Sequence, residues 1–318
     1  MVTEDIWAVL VTYNSAARTR RCLESILASK IVPNVVVVDN DSQDETVEVV
    51  ASSYPEATIL HSGGNLGFGQ ACNIGMKHAL VAGAKYLLPL NDDVRLTPSA
   101  LTSLLNAAIA NPDFGILLPV QITEDGGGVD AKFALELKKH APAQLFADQL
   151  VGRLRDVYPV PVLPGAAMLV KGELVERLGG FDPLFFVYGV EYDYCLRTVI
   201  SDWKVGFVPG ARVHHDRAVQ SRVAPIAIRM HVEDFYSTSL FILKRLDHSF
   251  VYMLLYEAAY AAYSVFLSFW SRNLRRALGI VVAGLKLLKV LPIVWLHRRW
   301  CLTREGVFLV DVANPESR

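Results

Sequence analysis

Through the first 120 positions, short unbroken apolar blocks alternate with stretches in which apolar residues recur at helical spacing. The block at 6–12, IWAVLVT, reads as a buried strand. It is followed by Asn14-Ser15, suited to cap a helix, and then by Leu23, Ile26 and Leu27 at helical intervals. Four consecutive valines at 35–38 fit a strand covered on both faces. The pattern continues with a helix over 45–52, a strand over 57–60, a helix over 71–81 and a strand over 85–90. This alternation predicts an α/β fold built on a doubly wound, mostly parallel sheet. Such sheets bind ligands beyond the carboxyl ends of their strands. Thr12-Tyr13-Asn14, Asp39-Asn40-Asp41 and Asn91-Asp92-Asp93 all fall there.

The regular alternation loosens after Val120. Residues 124–162, with Gly126-Gly127-Gly128 and several prolines, read as a loop-rich insert over the site. Order returns with a strand over 166–170, a helix over 173–178 and a strand over 204–208. Residues 1–221 form one expected domain, with a first half to about 120 and a second half over 121–221. Residues 222–318 form a helical extension.

Much of the extension is apolar. Residues 250–270 carry one charge, Glu257, and are just long enough to cross a bilayer. Residues 277–296 are interrupted by Lys286, Lys289 and Pro292. On a helix, Arg272, Arg275, Arg276, Lys286 and Lys289 share one side, which predicts a helix lying in an anionic membrane surface rather than spanning it. The alternative is a helical cap packed on the catalytic domain or on a second copy of the chain, a homo-oligomer.

Composition agrees with this division. The mean hydropathy of +0.31 is high for a freely soluble enzyme, and the excess lies mostly in the last third. A formal net charge of -1 argues against nucleic acid as the main partner. Cys22, Cys72, Cys195 and Cys301 form no paired motif, which favours a reducing compartment. No basic flank followed by an apolar stretch precedes the first strand, so the expectation is a catalytic part facing the cytoplasm, peripheral on the inner membrane.

Five segments carry candidate chemistry. Adjacent carboxylates at Asp92-Asp93 repel unless a cation sits near them, and hard oxygen ligands select Mg2+ or Mn2+. An ordinary turn is the competing reading. Asp39 leaves a buried strand where it can accept hydrogen bonds from a base or ribose, while Asp41, Ser42 and Asp44 suit a helix cap. The glycines of GGNLGFG at 63–69 have the wrong order for a dinucleotide fingerprint but permit close approach to a diphosphate or sugar. In FFVYGVEYDYCLR at 185–197, Glu191 and Asp193 lie among aromatic residues. Desolvation there is expected to raise a carboxyl pKa and favour a base. Asp193 also suits a helix N-terminus, with Arg197 as its partner. His214-His215 ends a strand and offers a metal or diphosphate ligand.

In order, VLVTYN at 9–14, VVVDNDSQDET at 36–46, GGNLGFGQACNIG at 63–75 and LPLNDDV at 88–94 resemble glycosyltransferase family 2, of GT-A fold. PGAAMLVKGELVERLGGFDPLFF at 164–186, DYCLR at 193–197 and VPGARVHH at 208–215 complete the likeness, which is nearest to a rhamnosyltransferase-like branch and spans about 215 residues. The resemblance implies donor contacts from Thr12, Tyr13, Asp39, Asn65, Gly67 and Asp92, and a Mg2+ or Mn2+ held by Asp93 and His215. Glu191 falls at the position of the family's catalytic aspartate, within Val190-Glu191-Tyr192-Asp193, where the family usually has Glu-Asp-x-Asp. The preceding acidic residue is therefore missing. The implied reaction is inverting transfer from a nucleotide sugar, dTDP-rhamnose first and UDP-hexoses next, to a saccharide or lipid-linked saccharide. Two other readings stay open. One is a nucleotidyltransferase, although VTYNSAART lacks a basic glycine-rich phosphate loop. The other is a catalytically impaired scaffold.

Overall fold

The computed structural model describes residues 5–186, 188–216, 228–303 and 308–309. In chain order the first half comprises β1 (Ile6–Thr12), α1 (Ala16–Leu27), β2 (Asn34–Asp39), α2 (Thr46–Ser53), β3 (Thr58–His61), α3 (Phe68–Val81) and β4 (Tyr86–Asn91). The four strands are parallel. Val36 and Val38 enter one hydrophobic core and Val35 and Val37 the other, so the valine run is covered on both faces. Register places Thr12 level with Asp39, and Val11 level with Asn91. The polar strand ends therefore converge on one edge. α1 buries Leu23 and Ile26, whereas Leu27, expected on the same face, is 46% exposed.

The second half adds β5 (Val94–Leu96), α4 (Ala100–Ala110), β6 (Phe114–Ile122), α5 (Ala131–His140), α6 (Ala143–Leu150) and β7 (Tyr158–Pro159). It closes with β8 (Leu169–Lys171), α7 (Gly172–Leu178), α8 (Val190–Ile200) and β9 (Lys204–His215). The sheet order is β3-β2-β1-β4-β8-β6-β9-β5, with β7 beside β9. β8 runs antiparallel between β4 and β6. Pairing of β5 with β9 sets Val94 opposite His215, which carries that histidine to the acidic turn after β4.

The segment 124–162, expected to be loop-rich, holds two helices, α5 and α6, between irregular stretches. Asp130 caps α5 by accepting from the Phe133 amide at 2.8 Å, and Phe133 and Leu145 anchor the two helices in the core. The strand expected over 204–208 runs on to His215 because β6 and then β5 pair with its second half.

The extension comprises α9 (Ile228–Lys244), α10 (Phe250–Trp270) and α11 (Leu274–Thr303). The boundary expected at 221–222 lies outside the described residues. α10 and α11 are long and apolar enough to cross a membrane by length and composition. α11 buries Ile280, Ala283, Leu287 and Val294, whereas the inward face of α10 is largely polar. α10 turns Glu257, Ser264 and Ser268 inward, and Ser239 of α9 donates to Glu257 at 2.6 Å. Val251, Leu255, Phe266 and Trp270 face outward, as do Leu274, Leu278, Leu285 and Leu288 of α11. The basic face needs one correction: Arg272 lies in the turn before α11, with φ +53°, and is not on that helix. Lys286 pairs with Glu233 of α9 at 2.8 Å and lies over the Tyr236 ring, yet its side chain stays 49% exposed. Arg272, Arg275, Arg276 and Lys289 are exposed as well. At Gly279 a Cβ would stand 2.6 Å from that of His231, so this glycine lets α11 approach α9.

Candidate active site

A cleft of about 960 Å³ opens at the strand ends. Thr12, Tyr13, Arg18, Asn65, Gly67, Asp92, Asp93, Glu191 and His215 all line it. The structure thus brings together most of the residues singled out by sequence, drawn from both halves of the sheet. Lys132 and Tyr188 add a wall, and α9 contributes Met230, His231 and Asp234. The helical extension is therefore part of the cleft.

On the donor side, the Thr12 hydroxyl is buried without a hydrogen-bond partner, an orphan group that a bound ligand would satisfy. Asp39 does not line the cleft. It stands behind Asn40, accepts at 3.3 Å from the Ser42 amide and lies 3.5 Å from His61. Asn40, not singled out by sequence, orders the 63–69 loop. Its amide nitrogen donates to Asn65 Oδ1 at 3.1 Å, and its oxygen accepts from Leu66 N at 2.9 Å. Gly67 has φ +79°, and a Cβ there would strike the Phe186 carbonyl, so only glycine lets these loops close. Glu45, not Asp41, Ser42 or Asp44, stands at the N-cap of α2; Asp44, one residue earlier, accepts from the Thr46 amide, and Ser42 accepts from Asn14 N at 3.0 Å.

Asp92 and Asp93 occupy the turn between β4 and β5. Burial raises the Asp92 carboxyl pKa above its ordinary value, and the charge of Asp93 adds to this, against the opposing pull of Ser15 and Arg18. Burial also acts to raise Asp93, but His215 and Arg18 outweigh it and hold that carboxyl below the usual range. The two neighbours thus differ in their readiness to carry charge, and Asp93 is the better anionic ligand.

The residues fit a hard divalent cation. Asp93 Oδ1 is buried without a well-aligned hydrogen-bond donor, and its near neighbour is His215 Nε2 at 3.4 Å. The far ring nitrogen, His215 Nδ1, stands 2.8 Å from Gln121 Oε1, while Gln121 Nε2 donates to the Pro164 carbonyl at 2.6 Å. That chain fixes the amide so that its oxygen accepts from Nδ1–H, which turns Nε2 toward Asp93. Among the described residues no group of three or more His, Cys, Asp and Glu side chains could hold a metal. Mg2+ and Mn2+ sites of this kind are completed by substrate phosphates.

Gln121 was missed by sequence, although a glutamine inside FGILLPVQI was a usable signal. Replacing Gln121 with Leu should weaken Mn2+ binding about 10–100-fold, as for other partners of ligating histidines. Titration of metal-dependent nucleotide binding checks this, and unchanged affinity would contradict it.

Glu191 and Asp193 separate. Two residues apart on a helix lie about 200° apart around its axis. Glu191 faces the cleft in the first turn of α8, beside Gly165, where a Cβ would come 3.1 Å from its own. Asp193 is 2% exposed and points away, held by Arg197 Nε at 2.9 Å and Lys244 Nζ at 3.0 Å. The expected Arg197 pairing is present, but Asp193 is not in the reaction space.

The family model described as Glycosyl transferase family 2 matches residues 7–177. The chain belongs to that family, which sets aside the nucleotidyltransferase reading. It is 28% identical over 241 residues to the N-acetylglucosaminyl-diphospho-decaprenol L-rhamnosyltransferase of Mycobacterium tuberculosis, covering 68% of this chain and 78% of that protein. It is 25% identical over 251 residues to the dTDP-rhamnosyl transferase RfbF of Shigella flexneri, covering 78% and 82%. Among solved structures it resembles the mannosyltransferase PcManGT from Pyrobaculum calidifontis in complex with GDP-Man and Mn2+. The TM-score is 0.55 at 19% identity, covering 96% and 84%. Some matched structures are longer, and the chain spans 41% of one of S. aureus TarS. The GT-A-like fold and the glycosyltransferase class are thereby established.

Proposed function

We propose that this enzyme transfers rhamnose from dTDP-rhamnose, with inversion, to a lipid-linked saccharide at a membrane surface in cell-surface polysaccharide synthesis. The observation that carries the reaction type is the single cleft joining the Asp93–His215 pair to Glu191. The rhamnosyl donor and the lipid-linked acceptor are supported by what the two curated relatives are named for. A divalent cation held by Asp93 and His215 would neutralise charge developing on the departing nucleoside diphosphate. Thr12 and the ordered 63–69 loop hold the donor, and Arg18 adds positive charge beside Asp92. Glu191 takes the acceptor hydroxyl proton as that oxygen attacks the anomeric carbon from the face opposite the leaving group.

A thermal-shift panel of nucleotide sugars with Mn2+ tests the donor. Stabilisation is expected with dTDP-rhamnose above UDP-glucose and UDP-galactose, since at equal concentration the ligand that binds the folded state more tightly raises the midpoint further. Preference for a UDP-sugar would reject rhamnose while keeping the class.

The membrane reading rests on the outward apolar residues of α10 and α11 with Arg272, Arg275, Arg276 and Lys289 exposed beside them. α11 packs its other side on α9, so the pair is proposed to lie in the interface, on the cytoplasmic face. Basic residues near an anionic surface contribute about 1 kcal/mol each, so replacing Arg272, Arg275 and Arg276 with Gln should weaken binding to anionic vesicles about 10²-fold. Cosedimentation at low salt reads this, and equal binding by parent and variant would refute it.

A further inference from the structure

Between the catalytic domain and its extension lies a buried cluster of charged groups that the proposed chemistry does not use. Asp182, fully buried in the loop after α7, accepts from the Leu184 amide at 2.9 Å and from His297 Nδ1 of α11 at 2.9 Å. Lys244, at the end of α9, reaches both Asp182 and Asp193. Arg197 closes the group from α8, donating to Asp193 and to the Gly180 carbonyl at 2.7 Å. Burial alone would neutralise these groups. Instead the Lys244 ammonium and the His297 hydrogen bond hold the Asp182 carboxyl below its usual range, and both carboxylates raise Lys244 above its own.

The placement of the two acids is informative. Asp193 is two residues from Glu191 on the same helical turn. Asp182 begins the loop whose Phe186 carbonyl accepts from the Phe68 amide at 3.1 Å and covers Gly67 of the donor loop. One set of ion pairs thus holds both the turn bearing Glu191 and the cover of the donor loop. Their cationic and imidazole partners, Lys244 and His297, come from the extension.

We propose that Lys244 and His297 are positioning residues, through which the helical extension sets the placement of Glu191 against the donor. The claim rests on Glu191 being the base. It adds that the extension is a working part of the catalytic geometry and not only an anchor. Misplacing a reacting group by about 1 Å costs about 10²-fold in rate.

The test uses His297 at the rim of the cluster, because removing Lys244 would leave two buried carboxylates uncompensated and threaten folding. In the full-length protein with vesicles, His297→Leu removes the hydrogen bond to Asp182. His297→Asn keeps an amide donor near the position of Nδ1, and both variants lose the ring stacking on Trp300. The expected result is a kcat lower by about 10²-fold in His297→Leu, with donor KM and Mn2+-nucleotide affinity within about twofold of the parent and substantial recovery in His297→Asn. Amide exchange across residues 181–195 should rise in the Leu variant and recover in the Asn variant. A purely structural role would lower the melting midpoint of both variants without this kcat contrast, and that outcome overturns the proposal. Should the parent transfer no sugar, the functional reading fails, and the exchange pattern alone decides the positioning claim: unchanged protection across 181–195 rejects it.

Discussion

Glu191→Gln should reduce sugar transfer by about 10²–10⁴-fold while leaving donor affinity nearly unchanged, the usual signature of losing a general base. Gln keeps the size and hydrogen-bonding capacity of the side chain but cannot accept the proton. Glu191 faces the cleft from the first turn of α8. Two other carboxylates test the assignment. Asp193→Asn disturbs a buried ion pair with Arg197 and Lys244, so it should lower stability and affect turnover only through position. Asp234 also lines the cleft, from α9, and Asp234→Asn should mainly raise the acceptor KM. Glu191→Asp restores the family's usual residue but withdraws the carboxylate by one methylene, so partial activity is expected. Near-normal turnover in Glu191→Gln, with collapse in a folded Asp234→Asn or Asp193→Asn, would move the base elsewhere.

The second large effect is expected at Asp93. Asp93→Asn keeps the turn and its backbone, whose carbonyl accepts from the Asp216 amide at 2.8 Å, but removes the charge that faces His215. Transfer should fall below detection, and Mn2+ should no longer tighten nucleotide binding. Calorimetric titration of nucleotide with and without Mn2+ reads the second point independently of turnover. The melting midpoint of the variant serves as the control for folding, since the substitution also removes the attraction of the carboxylate to His215 and Arg18. Full activity of the parent in excess EDTA would remove the metal from the account.

The sequence exposed the catalytic half well because strand ends are punctuated by polar residues. Asp93, His215 and Thr12 each follow or end an apolar run, and β-strand register then brings them together. Other features left weaker marks. α5 and α6 each bury a single residue, Phe133 and Leu145, so no apolar stripe announced them beside the glycine run at 126–128. Gln121 acts through His215, and its role depends on a partner 94 positions away. Glu191 and Asp193 could have been separated from sequence, since a two-residue step on a helix reverses direction; the aromatic surroundings of both obscured that. The helical wheel of 272–289 took Arg272 as helical, whereas α11 begins at Leu274, and it could not show that Lys286, still half-exposed, would pair with Glu233 of α9. The same limit hid the contribution of α9 to the cleft, because only tertiary packing sets His231 and Asp234 opposite the strand ends.

The missing acidic residue before Glu191 left open whether the chain is an active transferase or a scaffold. In the fold, position 190 is a buried valine at the start of α8, packed in the core and not in the reaction space. Its replacement of an acid therefore leaves the cleft-facing carboxylate at 191 in place.

The most direct measurement is the anomeric configuration of the transferred sugar. Single-displacement attack, with Glu191 as the base and the diphosphate departing on the side of Asp93 and His215, requires inversion at the sugar carbon. Proton NMR of product formed from dTDP-rhamnose and a lipid-linked saccharide should show the anomeric configuration opposite to that of the donor. A product that retains the donor's configuration would contradict the account.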